Sequence, residues 1–324
     1  MTTGTPKGFL HPDLEEAQNS LTASGFDLKK KEDLAAAREM ANFKVETVMK
    51  GREGTISYED LDVPGPAGPL RATVLRSKKH SATPAADTPG ILYIHGGAHL
   101  YGNRFFGLNG VLDWVESLGA MVVSAEYRLS PENPQPAQIN DTFATLTWMS
   151  EHANDLGFNP RKLIVSGGSA GGNLAAGVTL MARDQSGPEI VGLILTYPWV
   201  GENTETSSML EYGNLQPWAR ENTIDALNFA LGENRENATI YTVPSRSEDL
   251  TGLPPTFIDV GTADLLRDED VDFATALWKA GGQVEFHVWP GAWHGFDVFV
   301  PDAPISRRAI ATRLEWLQNL INNS

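Results

Sequence analysis

The 324-residue chain contains no cysteine, which excludes disulfides, thiolate metal sites and a cysteine nucleophile by count alone. Long hydrophobic runs are absent too. No stretch approaches the roughly 18 apolar residues of a membrane span, and the first residues, from Met1 to Pro12, hold no apolar signal-peptide core. A cytoplasmic protein without a membrane span is the expectation. Positive charge is scarce: 25 Lys and Arg stand against 41 Asp and Glu, a formal net charge of −16. Polyanions are held by clustered cations, so nucleic acid is not an expected partner.

What is present is the composition of a globular protein, with 41% hydrophobic, 20% charged and 9% aromatic residues. The length is about twice that of a common domain, but α/β proteins reach it around one sheet. From residue 90 onward short β-branched runs alternate with amphipathic stretches, the pattern of a mostly parallel sheet covered by helices on both faces, an α/β class. Eight strands are predicted, near residues 56–63, 70–76, 91–95, 121–126, 162–167, 190–196, 256–260 and 283–289. The first two are joined by a turn-rich link at 64–69, too short for a crossover helix, so they should pair antiparallel. Ile310, Leu314, Leu317 and Ile321 repeat at helical spacing and predict one face of a final helix packed on the sheet. Two regions fall outside the rhythm: residues 1–50, with a helical run from Lys29 to Phe43, and residues 201–246. Both are expected to be cap segments over a cleft in a catalytic domain spanning 51–324.

Leu163-Ile164-Val165-Ser166 is a buried-strand run followed by Gly167-Gly168-Ser169-Ala170-Gly171-Gly172 and a helical stretch. A G-x-S-x-G in this strand-turn-helix context lifts the serine into the open at a helix N-terminus, where free N–H groups favour negative charge. A phosphate loop is the competing reading, but neither G-x-G-x-x-G nor a Walker lysine aligns here. Serine attack on an ester creates an oxyanion, which needs preorganised backbone donors. Ala170 should supply one. Gly96 and Gly97, directly after the strand that ends His95, should supply others. His95 and His99 form H-x-x-x-H, but Gly96-Gly97 after a strand argues for a loop, so no metal site is expected. His95 should hydrogen-bond the loop backbone. His99 either lines the cleft or packs.

A serine needs a base, and the base a carboxylate that fixes its tautomer. Of seven histidines, His294 lies in a loop after the last strand and before the last helix, where it can reach the elbow, whereas His287 lies inside that strand. Asp264 lies in the loop leaving the strand at 256–260. Asp259 is within that strand, and Asp268, Glu269 and Asp270 read as the acidic first turn of the next helix. The order Ser169, Asp264, His294 is the chain order of α/β-hydrolases. Activity should fall on acidification as the base protonates.

With these residues in hand, the chain resembles the hormone-sensitive lipase family of α/β-hydrolase fold esterases. The segments that carry the resemblance are His95-Gly96-Gly97-Ala98, Tyr127-Arg128-Leu129-Ser130-Pro131-Glu132, Gly167 to Gly172, Asp264 to Glu269 and His294-Gly295-Phe296. The resemblance implies an eight-stranded core with an N-terminal cap, no cofactor, and action on a small-molecule ester with a short to medium acyl chain; a monomer or homodimer is expected. Lactones, amides or one specific metabolite would use the same residues; a non-catalytic receptor would lack His294. Three positions depart from the family pattern: Ala98 where a third glycine is usual, Gly168 where Asp is usual, and Leu265 where Pro is usual. Ala98 places a methyl beside the cleft and Gly168 removes a carboxylate beside the nucleophile. The Tyr127 to Glu132 segment reads as a structural loop. Trp199, after a strand, either walls the acyl pocket or packs against the cap.

Overall fold

The computed structural model describes residues 10–21, 27–215, 217–232 and 235–323. Eight strands form one sheet: β1 (Ile56–Gly65), β2 (Gly68–Ser77), β3 (Gly90–Ile94), β4 (Met121–Ala125), β5 (Leu163–Gly168), β6 (Gly192–Thr196), β7 (Thr256–Gly261) and β8 (Val284–Trp289). Their order is β1-β2-β4-β3-β5-β6-β7-β8. The β1–β2 hairpin is antiparallel, as the short link requires, and β2 meets β4 antiparallel; every later pairing is parallel. The helices are α1 (Pro12–Leu21), α2 (Lys31–Met40), α3 (Val45–Val48), α4 (Asn109–Leu118), α5 (Ala137–Glu151), α6 (Ala153–Leu156), α7 (Ala170–Asp184), α8 (Ser207–Tyr212), α9 (Arg220–Leu231), α10 (Arg267–Lys279), α11 (Phe296–Phe299) and α12 (Pro304–Asn323). Among the described residues no helix is long and apolar enough to cross a membrane.

The period-2 geometry of strands sorts the core into two layers. Leu92, Val123, Val165, Leu193, Leu195 and Ile258 pack on one face with Leu174 and Val178 of α7 and Phe273 of α10. Their neighbours Ile91, Val122, Ile164, Ile194 and Phe257 pack on the other with Leu112, Trp114 and Val115 of α4 and Leu317 of α12. Strands buried on both faces read as continuous apolar runs, which is why they were visible in the sequence. A third cluster brings together Leu14, Leu34 and Ala37 of α1 and α2, Met209 and Tyr212 of α8, Leu227 of α9, and Trp293 and Phe296 near the end of the chain. The two out-of-rhythm segments thus pack on each other and on the loops beyond the sheet. Of the segment 1–50, residues 1–9 and 22–26 lie outside the described residues.

The buried stripe of α12 is rotated from the predicted one. Ile305, Ser306, Ala309, Arg313 and Leu317 are buried, while Ile310, Leu314 and Ile321 are half-buried at its flank. The cause is Arg313, whose guanidinium donates to Asp259 and Asp297 inside the protein. A hydrophobic pattern cannot anticipate a buried cation that carries its own partners.

Candidate active site

β5 runs into a tight turn in which Ser169 adopts φ 55° and ψ −121°, a conformation a non-glycine residue holds only when its surroundings enforce it. Here they do: Ser169 N donates to Thr196 O at 3.0 Å, and Asn173 N and Trp199 N donate to Ser169 O, each at 3.0 Å. The turn also brings backbones too close for side chains. A Cβ on Gly167 would lie 2.2 Å from Gly171 O, and one on Gly171 would lie 2.1 Å from Ile94 O. Ser169 then stands at the N-terminus of α7.

The loop leaving β7 places Asp264, and the loop leaving β8 places His294. His294 Nε2 lies 2.9 Å from Ser169 Oγ, and His294 Nδ1 lies 2.9 Å from Asp264 Oδ2 and 3.2 Å from Oδ1. Asp264 is fully buried, and its Oδ1 also accepts from Leu266 N at 2.9 Å. The carboxylate is thereby fixed by its own loop, and it in turn fixes the imidazole with Nδ1 protonated and Nε2 free to accept from the serine. Tyr197, at φ 36°, sets its ring edge-on to His294 with centroids 5.0 Å apart and donates its hydroxyl to Asp297 at 2.8 Å.

Gly96 lies against the elbow: a Cβ there would be 3.0 Å from Gly168 O and 3.5 Å from Ser169 Cβ. Among the described residues, the amides of Gly96, Gly97 and Ala170 donate to no backbone carbonyl. The loop that carries two of them is braced from below. Tyr127 donates to His95 O at 2.9 Å and stacks on the His95 ring at 4.2 Å, while His95 Nδ1 meets Gly96 O at 2.7 Å. Arg38 of α2 reaches the same loop, donating to Leu100 O at 2.8 Å and to Ser130 O at 2.9 Å, and pairs with Glu132 at 2.6 and 2.8 Å. Each polar residue of the Tyr127–Glu132 segment thus has a bracing role, since Arg128 pairs with the buried Asp141 at 2.7 and 2.8 Å.

A cleft opens above Ser169. Ala98 and Gly168 line it, together with Tyr101, Phe106, Tyr197, Trp218 and Phe299. It abuts a second apolar hollow of about 670 Å³ between α1, α2 and the start of α9, with Tyr101, Phe106, Trp218 and Phe299 in both walls. His99 and Trp199 stack on each other at 5.7 Å and line a separate cavity of about 250 Å³ that does not include Ser169. They pack; they do not wall the nucleophile's cleft. Burial, with the His95 charge adding to it, pulls the His99 imidazole down to about 3, so the ring is neutral. Among the described residues no cluster of metal-ligating side chains occurs.

The cleft's aromatic walls went unread in the sequence. Tyr101 and Phe106 follow the Gly96-Gly97 turn closely enough to have been suspected, but nothing local distinguishes Trp218 or Phe299 from ordinary core residues. Asp268, Glu269 and Asp270 form the acidic first turn of α10, as the sequence predicts, but their environments differ. Asp268 is partly exposed and accepts from Ser208 N at 2.7 Å. Asp270 is fully buried and neither carboxyl oxygen has a partner. Burial, followed by the charges of Asp264, Glu269 and Asp259, raises its pKa well above the ordinary carboxyl range. Burial thus disfavours its charged form, and with it any interaction with the helix dipole.

Residues 91–298 match the family described as alpha/beta hydrolase fold. Esterase LipI of Mycobacterium tuberculosis is 33% identical over 252 residues, which cover 77% of this chain and 78% of that protein. The carboxylic ester hydrolase LipN of the same organism is 33% identical over 303 residues, 89% of this chain and 77% of the relative. Among solved structures, a bacterial heroin esterase superposes with a TM-score of 0.87 at 31% identity, covering 97% of this chain and 98% of its own. Esterase LipW from Mycobacterium marinum superposes with a TM-score of 0.87 at 30% identity, covering 99% of both chains. The chain belongs to the alpha/beta hydrolase fold family, in its hormone-sensitive lipase-like branch.

Proposed function

We propose that the protein hydrolyses carboxylic esters through an acyl-enzyme, with Ser169 as nucleophile, His294 as general base and Asp264 as the residue that orients the base. The observation that carries this reading is the unbroken chain from Ser169 Oγ to His294 Nε2 and from His294 Nδ1 to Asp264, with both links at 2.9 Å. In the first half-reaction His294 takes the Ser169 proton as Oγ bonds to the ester carbon. The carbonyl oxygen becomes an oxyanion, held by the amides of Gly96, Gly97 and Ala170. Collapse of the tetrahedral intermediate breaks the bond to the alcohol oxygen, which receives the proton from His294. Water then repeats the sequence on the acyl-serine, releasing the acid and restoring the free hydroxyl. The relatives named as esterases and carboxylic ester hydrolases support the same chemistry.

Residues 1–50 and 201–246 act in this reading as two cap segments on the catalytic domain. The apolar walls of the cleft and its neighbouring hollow suit an uncharged ester with a short to medium acyl chain. The test is hydrolysis of p-nitrophenyl esters from acetate to palmitate. Short and medium chains should be cleaved fastest, and Ser169→Ala should lower kcat by about 10⁴- to 10⁶-fold. Equal rates in the two proteins would remove Ser169 as nucleophile.

A further inference from the structure

A second chamber lies behind the nucleophile. On the face of the sheet covered by α4 and α12, a cavity shares Tyr93, Gly107, Gly168, Tyr197 and Val298 with the Ser169 cleft. Unlike the hollow under α1 and α2, it has polar walls, among them Ser166, Thr196, Asp297 and Arg313. Trp114 lines it too, and is only 3% exposed.

One buried donor in these walls has no acceptor, Trp114 Nε1. The Arg313 guanidinium is engaged by its own partners, Nε and Nη2 with Asp259 Oδ2 at 2.9 and 2.8 Å and Nη1 with Asp297 Oδ2. A buried donor left unsatisfied costs about 1–3 kcal/mol, and native structures that carry one usually meet it with water or a ligand. The charge balance then selects the ligand. Arg313 sits between two aspartates, so the chamber has no net positive charge to attract an anion, but a neutral acceptor completes the Trp114 N–H without further cost.

The link to the nucleophile is the missing side chain at position 168. A Cβ on Gly168 would meet Tyr197 Cε2 at 3.6 Å and Thr196 Cβ at 3.7 Å, ordinary contact, and its φ lies outside the left-handed region. Gly167 and Gly171 are glycines because backbone would collide with anything larger. Gly168 is under no such constraint, and any side chain there would stand in the wall common to the two spaces.

We propose that the chamber is a second substrate subsite, reached past Gly168, that receives a neutral hydrogen-bond acceptor such as a ketone carbonyl or an ether oxygen carried on one arm of the ester. The inference rests on the ester-hydrolase reading of Ser169 and adds a substrate class to it.

The test compares isosteric pairs. For the acid arm, kcat/KM is measured for p-nitrophenyl 4-oxopentanoate against pentanoate; for the alcohol arm, for 2-methoxyethyl against butyl acetate. Each ratio is divided by the same ratio for hydroxide-catalysed hydrolysis. One hydrogen bond predicts a preference of about three- to tenfold for the acceptor-bearing member of one pair. That preference should fall to about one in Trp114→Phe, which keeps a ring and removes the N–H, and in Gly168→Val, which narrows the passage. The arm that shows it identifies which half of the ester enters. Ratios of one for both pairs in the wild type would mean that the chamber takes only water, and a preference unchanged in both variants would equally overturn the proposal. If p-nitrophenyl pentanoate itself is not cleaved, the ester-hydrolase reading fails instead. Saturation-transfer NMR with 2-pentanone then decides the subsite: weaker binding by Trp114→Phe supports it, and equal binding overturns it.

Discussion

Ala98 holds φ 56° and His99 holds φ 62°, two consecutive left-handed residues with side chains. Each costs about 1–2 kcal/mol relative to the right-handed region, which gives a physical reason to expect glycine at position 98. Ala98 is buried and lines the Ser169 cleft. Ala98→Gly should therefore relieve strain, offset in part by the roughly 0.5–1 kcal/mol that glycine loses in chain entropy, and leave stability nearly unchanged. Its larger effect is on shape. The ratio of kcat/KM for tert-butyl acetate to that for ethyl acetate should rise about tenfold, the scale of one methyl or methylene in a pocket. An unchanged ratio would show that Ala98 does not limit the alcohol portion. The sequence disclosed this residue through its departure from a motif, and it disclosed Ser169, Asp264 and His294 through their positions at strand ends. It could not disclose Tyr197, whose edge-on contact with His294 depends on a backbone conformation at φ 36°, because local sequence does not encode a strained dihedral.

Among the elements, α2 and the loop after β3 are joined by one side chain. Arg38 reaches from α2 to Leu100 O, Ser130 O and both oxygens of Glu132, and Leu100 N donates back to Gly97 O at 2.9 Å. The guanidinium hydrogen bonds also hold the Glu132 carboxyl below its usual range, against the opposing pull of burial. Arg38 is a positioning residue: it holds the segment that presents the Gly97 amide without touching the reacting atoms. A lysine at this position keeps the charge but loses the planar fork. Arg38→Lys should cost about 1–2 kcal/mol in urea denaturation and lower kcat for p-nitrophenyl acetate severalfold with little change in KM. A rise in KM with kcat intact would assign Arg38 to binding through the cap instead. The central strands were legible as short apolar runs with turn residues at their ends, and the antiparallel pairing of β1 with β2 from their short link, whereas the β2-β4-β3 order depends on long-range pairing that no local pattern carries. The packing of α2 was not legible either, because the helix's buried residues are few, Leu34 and Ala37, and its anchor is an arginine 94 residues from its partner Glu132.

At the scale of the whole molecule, charge and burial together set how stability responds to pH. The formal net charge is −16, a self-repulsion that grows as carboxyls ionise. Two of those carboxyls are inside. Burial raises Glu269 to about 7 and raises Asp270 well above its ordinary value, so the folded protein holds protons that the unfolded chain releases near pH 4. Stability that depends on these neutral forms is fully present below the unfolded values and is lost as pH rises through the folded ones. Exposed or half-exposed acids such as Glu132 act in the opposite sense, since a lowered folded pKa adds stability that disappears only as pH falls through it. The melting temperature should accordingly peak near pH 5 to 6 and decline toward pH 9. Asp270→Asn replaces the acid by a neutral amide of the same shape, so its melting temperature should exceed that of the wild type at pH 8 by about 2 °C or more and converge with it near pH 4. Salt separates the two contributions: 0.5 M NaCl shortens the screening length to about 4 Å and should recover the part of the decline that comes from surface repulsion. The Asp270→Asn difference, arising from a buried group, should persist in salt. A difference that is constant from pH 4 to 8 would mean that Asp270 is ionised in the folded protein, and the neutral acid beside Asp264 would have to be abandoned.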